Sequence, residues 1–125
     1  MKSFFSIQIY SFLFLILIIC SCEGDDIIQK ADLLGQWEIE TGFRNGKQTE
    51  SFTGMYFNFE EEGVLLTNMT GQEETYKYEI DGQSIFQRNG ALDADYNVDL
   101  LTTDSLILVT TLRTKELKMI LSKKK

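Results

Sequence analysis

Gln36-Trp37-Glu38-Ile39-Glu40-Thr41-Gly42-Phe43 alternates: Trp37, Ile39, Thr41 and Phe43 fall on one side of an extended chain, Glu38 and Glu40 on the other. A period of two is the pattern of a strand with one buried face and one wet face. Moving outward, Asn45-Gly46 is a hairpin turn signal, because both residues tolerate positive φ. Met55, Phe57 and Phe59 then alternate with Tyr56, Asn58 and Glu60, and Glu61-Glu62-Gly63 breaks the run. Val64 to Asn68 is a short strand ended by Met69-Thr70-Gly71-Gln72. Tyr76, Tyr78 and Ile80 face inward against Lys77 and Glu79, with Asp81-Gly82 as the next turn. Residues 84–88 follow, then a loop around Asn89-Gly90, then Tyr96, Val98 and Leu100 alternating with Asn97 and Asp99. Thr102 to Asp104 turns the chain again. Leu106-Ile107-Leu108-Val109 is apolar on both faces and suits a strand covered on both sides. Residues 116–122 close the series with Leu117, Met119 and Leu121.

These are about eight consecutive strands joined by tight turns, with no helical stretch long enough for a crossover, so neighbours run antiparallel. Eight up-and-down strands remove their free edges by closing into a barrel. The expected fold is therefore all-β, an eight-stranded antiparallel up-and-down barrel, with a β-sandwich as the alternative. The chain has 125 residues, 12 Lys plus Arg against 19 Asp plus Glu, no His and two Cys, for a net charge of −7. That length holds one modest core. Without His the usual general base, proton shuttle and commonest metal ligand are missing. A net negative chain with no basic stripe disfavours nucleic acid.

The first residues are a targeting segment. Lys2 is a short positive region, and residues 12–19 run Phe-Leu-Phe-Leu-Ile-Leu-Ile-Ile without interruption, as in a secretory signal. A spanning helix needs about 20 apolar residues, whereas Ser6, Gln8 and Ser11 interrupt this one and Glu23, Asp25 and Asp26 follow it. A retained membrane anchor is the alternative. Ile19-Cys20-Ser21-Cys22 resembles a bacterial lipobox, which implies cleavage after Ser21 and lipid attachment at Cys22. Cys20 fits less well, because branched Ile19 stands where a small residue is wanted. One Cys then leaves with the signal and the other becomes a thioether, so the mature domain has no disulfide. One acyl chain gives only marginal anchoring; the three implied by the resemblance to bacterial lipoproteins hold firmly. Glu23-Gly24-Asp25-Asp26 resembles the acidic export signals that place lipoproteins on the outer face of the outer membrane; a solvated spacer, with the domain on the periplasm-facing leaflet, is the alternative. The expected organisation is a signal peptide over residues 1–21, a lipid anchor and acidic linker over 22–32, and the barrel over 33–125.

Gly35-Gln36-Trp37, a Gly-x-Trp opening the first strand, resembles the first motif of the lipocalins. With Phe57-Asn58-Phe59-Glu60-Glu61-Glu62-Gly63, Thr75-Tyr76-Lys77-Tyr78-Glu79-Ile80 and residues 100–108, the chain is similar to small bacterial lipocalin-like lipoproteins from about Asp32 to Lys123. The resemblance implies that Trp37 packs across one end of the barrel. It also implies an Arg near the last strand behind that Trp; Arg113 is the only late Arg and sits in a turn-like Arg113-Thr114-Lys115, so the role is not transferred to it. Strands of about five to eight residues, with Lys123-Lys124-Lys125 where the family has a helix, depart from the classical pattern.

The functional expectation is a non-catalytic, lipid-anchored envelope protein that binds a small apolar or amphipathic ligand inside the barrel. The candidate interior is Trp37, Ile39, Phe57, Phe59, Tyr76, Tyr78, Tyr96 and Val98, with Phe43 also placed inward. Eight strands enclose an interior that side chains can fill or that holds one small ligand, so a structural or protein-interaction module with a filled interior is the alternative. No cofactor or metal is expected: Asp93, Asp95 and Asp99 lack the spacing, Gly and terminal Glu of a calcium loop, and Glu60 to Glu62 sit at a hairpin end where charge is ordinary. Asn68-Met69-Thr70 matches an N-glycosylation pattern and Asp104-Ser105-Leu106 resembles an O-glycosylation motif with Ser105 as acceptor, although a β-turn explains Asp-Ser equally.

Overall fold

The computed structural model describes residues 27–125. The expected signal segment and Cys22 lie outside them. One turn of helix, α1 (Lys30–Leu33), leads into nine strands: β1 (Gly35–Arg44), β2 (Lys47–Thr49), β3 (Tyr56–Glu60), β4 (Val64–Thr67), β5 (Glu74–Asp81), β6 (Ser84–Arg88), β7 (Ala94–Leu101), β8 (Ser105–Leu112) and β9 (Lys115–Lys123). They form one antiparallel sheet in the order β2-β1-β3-β4-β5-β6-β7-β8-β9, closed by pairing of β1 with β9 from Trp37↔Lys123 to Arg44↔Leu117. β3 pairs with the first part of β1 (Gly35–Glu38) and β2 with its last part (Gly42–Arg44), so the two share one edge. The wall is thus an eight-stranded closed barrel with β2 as a short addition. Closure leaves the wall without an unpaired edge.

Two bulges re-aim the alternation. The register between β1 and β9 shifts between Ile39 and Thr41, and between β7 and β8 it shifts between Val98 and Leu100. One extra residue in a strand sends every later side chain to the other face. Trp37 and Ile39 therefore point inward, but beyond Glu40 it is Gly42 that faces the core, opposite buried Met119, while Phe43 stands on the outer wall opposite Lys118. Likewise Leu101 packs inward opposite Leu106, and Leu100, 42% exposed, stands outside opposite Ile107. The inward placements of Thr41, Phe43 and Leu100 expected from simple alternation are corrected on this ground.

Both ends of the barrel are stopped. At the end where β1 begins, the segment before the wall crosses over: the Ile28 amide donates to the Gly82 carbonyl (3.0 Å), and Leu33 is fully buried. Beneath it the Trp37 indole N–H donates to the Leu33 carbonyl at 2.8 Å. Lys123 holds the plug from the other side, its ammonium 4.6 Å from the Trp37 ring centroid and donating to the Leu34 carbonyl at 2.6 Å. Gly35 makes room for that lysine, since at φ +120° a Cβ there would lie 2.6 Å from Lys123 Cε. Arg113, by contrast, is in the β8–β9 turn at the far end. That far end is filled by Phe52, from the loop between β2 and β3, whose ring lies where a Cβ on Gly42 would come within 2.3 Å. Arg44 stacks over the outer side of the same ring, 5.6 Å from its centroid.

Candidate functional site

The interior candidates come together, and what they contact is one another. Trp37, Phe57, Phe59, Tyr76, Tyr78, Tyr96 and Val98 belong to a single buried cluster, with Ile39 packed against it. Phe57 and Phe59 stack at 6.2 Å between centroids, Tyr96 meets Phe57 edge-on at 5.6 Å, and Tyr78 meets Phe59 edge-on at 5.1 Å. These offset and edge contacts are the arrangements aromatic rings prefer. Leu65, Ile85, Leu106, Leu108, Met119 and Leu121, each under 2% exposed, fill the space around them.

The polar atoms inside are equally occupied. Tyr96 Oη donates to Gln87 Oε1 at 2.8 Å, and Gln87 Nε2 donates to the Leu92 carbonyl at 2.7 Å. Thr67 and Thr110 donate to the Tyr56 and Asp95 carbonyls, each at 2.7 Å. Tyr78 Oη donates to the Glu60 carbonyl at 2.9 Å. Among the described residues no buried side-chain nitrogen or oxygen is left without a partner. A polar group poised for a ligand would be an unpaired one, since burying it unpaired costs about 1–3 kcal/mol. Burial pushes the Tyr96 phenol up strongly, and it raises Tyr78 and Tyr76 as well, so all three stay neutral through the physiological range.

The other motifs have structural partners. Asn68 Oδ1 accepts from the Tyr56 amide (2.9 Å) and its Nδ2 donates to the Gly54 carbonyl (3.0 Å), which ties β4 to the loop before β3. Asp95 pairs with Arg88 at 2.6 Å on the outer wall, and that contact raises the Arg88 pKa. Ser105 opens β8 half-buried, with its amide and that of Asp104 donating to Thr102 Oγ1, so the turn reading accounts for Asp-Ser.

The outer wall carries what alternation missed. Thr41, Ile120, Ile107 and Leu100 are directly paired across β1, β9, β8 and β7, and form one row on the outside of the barrel. The next row runs Phe43, Lys118, Val109 and Asn97. A groove of about 420 Å³ opens here, lined by Phe43, Gly46, Asp99, Val109, Glu116 and Lys118. β8 was expected to be covered on both faces; its inner face is covered by the core, while Ile107 and Val109 are half-buried on a wall that no other described element overlies. The doubly apolar run of β8 was the available sequence signal for this face. The bulge at Glu40, which adds Phe43 to it, had none. No family model matches the chain, and no match was found among curated proteins or solved structures.

Proposed function

We propose that this chain is a lipocalin-like lipoprotein of the bacterial envelope, tethered through Cys22 to the outer membrane, and that its barrel is a non-catalytic protein-interaction module rather than a carrier. The observation that carries the reading is the contrast between an interior whose aromatic and aliphatic side chains are buried against one another, with no buried side-chain polar atom left unpartnered among the described residues and both ends stopped, and an uncovered apolar band on the wall of β1, β9, β8 and β7. A carrier needs a concave space of a few hundred Å³ lined by apolar groups; here those groups occupy one another. The wall has the anatomy of a protein contact: an apolar centre of Phe43, Ile107, Val109 and Ile120 with Lys118, Asp99 and Glu116 of both signs around it. Those carboxylates make an anionic lipid surface a poor occupant, so the partner is a protein. The sequence supports the tether through its lipobox, and display on the outer face through Glu23, Asp25 and Asp26, with the periplasm-facing leaflet as the alternative.

A photo-crosslinking residue at position 109 in the full chain, expressed in cells, is expected to give a discrete protein adduct that the same residue at Lys77, on the opposite charged wall, does not give. Equal labelling at the two positions, or none at 109, overturns the interaction reading. Incorporation of labelled palmitate that is lost in Cys22→Ala tests the tether separately.

A further inference from the structure

A different feature sits at the end of the barrel away from α1, where two hairpin tips stand side by side. The turn after β1 is Asn45-Gly46, and the turn after β8 is Arg113-Thr114. They are tied together by two hydrogen bonds: the Asn45 amide donates to the Glu116 carbonyl at 2.8 Å, and the Glu116 amide donates to Asn45 Oδ1 at 2.9 Å. Around the joined tips, residues 44–47 and 113–115 bring Arg44, Lys47, Arg113 and Lys115 together with no carboxylate among them, in a chain whose overall net charge is −7; Glu116 and Asp99 lie beside them in the outer-wall groove. Among the described residues the ion pairs are Arg88–Asp95 and Lys124–Glu38, and none of these four cations takes part in one.

The two turns share a backbone geometry but not the residues that suit it. Both have two successive residues at positive φ: 52° and 83° at Asn45-Gly46, 52° and 70° at Arg113-Thr114. Asn-Gly suits that geometry. Arg tolerates it poorly, and β-branched Thr is a real outlier there. A tip whose only task was to turn the chain and stay soluble would do better with the pair its neighbour uses. What Arg113 adds is an exposed guanidinium on the turn beside three other cations.

We infer that the joined tips are a binding site for an anionic polysaccharide, whose carboxylate or phosphate groups lie across Arg44, Lys47, Arg113 and Lys115. Guanidinium forks match such groups in two-bonded geometry, and the lysines add point charges. The tips themselves, Arg-Asn-Gly-Lys at 44–47 and Arg-Thr-Lys-Glu at 113–116, carry no apolar side chain and so lack the apolar centre of a protein contact. They also lack exposed rings on which bases would stack: Phe52 is buried beneath Arg44. The acidic remainder of the barrel repels a polyanion elsewhere, so approach is confined to this end. The site adjoins the outer-wall groove, which Gly46 and Glu116 also line, but it uses none of that groove's apolar residues.

The test is binding of the full chain, in micelles of neutral detergent, to immobilised polygalacturonate, with neutral dextran and a single-stranded oligonucleotide alongside. The expected result is retention on polygalacturonate that weakens steeply with salt, no retention on dextran, and a loss of about tenfold or more in affinity for R113A/K115A. The pair R113N/T114G is expected to raise the melting temperature while weakening polygalacturonate binding, a combination that misfolding cannot produce. Unchanged binding in both variants, or equal retention on dextran, overturns the site. Tighter binding to the oligonucleotide overturns the polysaccharide as its occupant.

Discussion

The two faces of β8 are about equally apolar and have opposite fates. Leu106 and Leu108 point inward and are fully buried, in contact with β7 and β9 neighbours and the ring cluster; Ile107 and Val109, one residue along, stand on the outside half-covered. In a barrel the inner face is where stability is made, because burying each large apolar side chain contributes roughly 1.5–3 kcal/mol. Apolar residues on the outer face contribute little to folding unless something covers them. The outer row continues apolar through Ile120 of β9 and Leu100 of β7, which is the surface the interaction proposal uses, while the aromatic-rich interior, which resembles a ligand chamber when read as sequence, is a core.

Substitutions that separate the two faces sharpen or break this contrast. The largest effect belongs to the centre of the ring cluster: Phe57→Ala is expected to cost about 3–5 kcal/mol in chemical denaturation, since it removes contacts to Phe59 and Tyr96 and leaves a cavity. Next is Gly42→Ala, where the added methyl collides with Phe52; about 1–3 kcal/mol is expected from overpacking. A neutral result would show that the Phe52 plug is loosely seated and the far end open.

Tyr96→Phe is expected to cost about 1–3 kcal/mol near neutral pH by leaving Gln87 Oε1 without its donor. It also has a pH signature. The Tyr96 phenol is raised above its unfolded value of about 10, so its contribution is fully present below that pH and is lost as pH climbs beyond it. The wild-type chain should lose stability above pH 10, and Tyr96→Phe should lose it less steeply; thermal melts at pH 9, 10 and 11 check this. Lys123→Met removes the hydrogen bond to Leu34 and the cation over Trp37 and is expected to cost about 1 kcal/mol, with a shift in Trp37 emission as the local readout. The smallest effect is on the outer wall: Val109→Ser and Ile107→Ser should each stay within about 0.5 kcal/mol in the isolated chain. A cost of 2 kcal/mol or more at either position would mean that the outer face is part of the core's support and would remove its claim as a contact surface.

How much of this was legible in the sequence follows from how local each feature is. The strand alternation and the Asn-Gly and Asp-Gly turns depend on neighbours, and they lead directly to an antiparallel closed wall. The bulges at Glu40 and Asp99 do not: an extra residue in a strand is defined by its partner strand, and nothing in Glu38-Ile39-Glu40-Thr41 announces it. That is why Phe43 and Leu100 were expected inside. The Trp37 plug was foreseeable from its motif, but Lys123 meets it only because the last strand pairs with the first. Phe52 offered a faint signal, a lone aromatic among Thr49, Glu50, Ser51 and Thr53, whose ring has nowhere to go but the open barrel end.

The central claim is that the barrel holds no cargo space. Its most direct measurement is a titration of residues 22–125, without the lipid, with fluorescent fatty acids and other apolar dyes while Trp37 emission is followed. A full interior predicts no saturable change in Trp37 and no stoichiometric dye binding; a one-to-one, saturable quench of Trp37 by any member of the panel would contradict it.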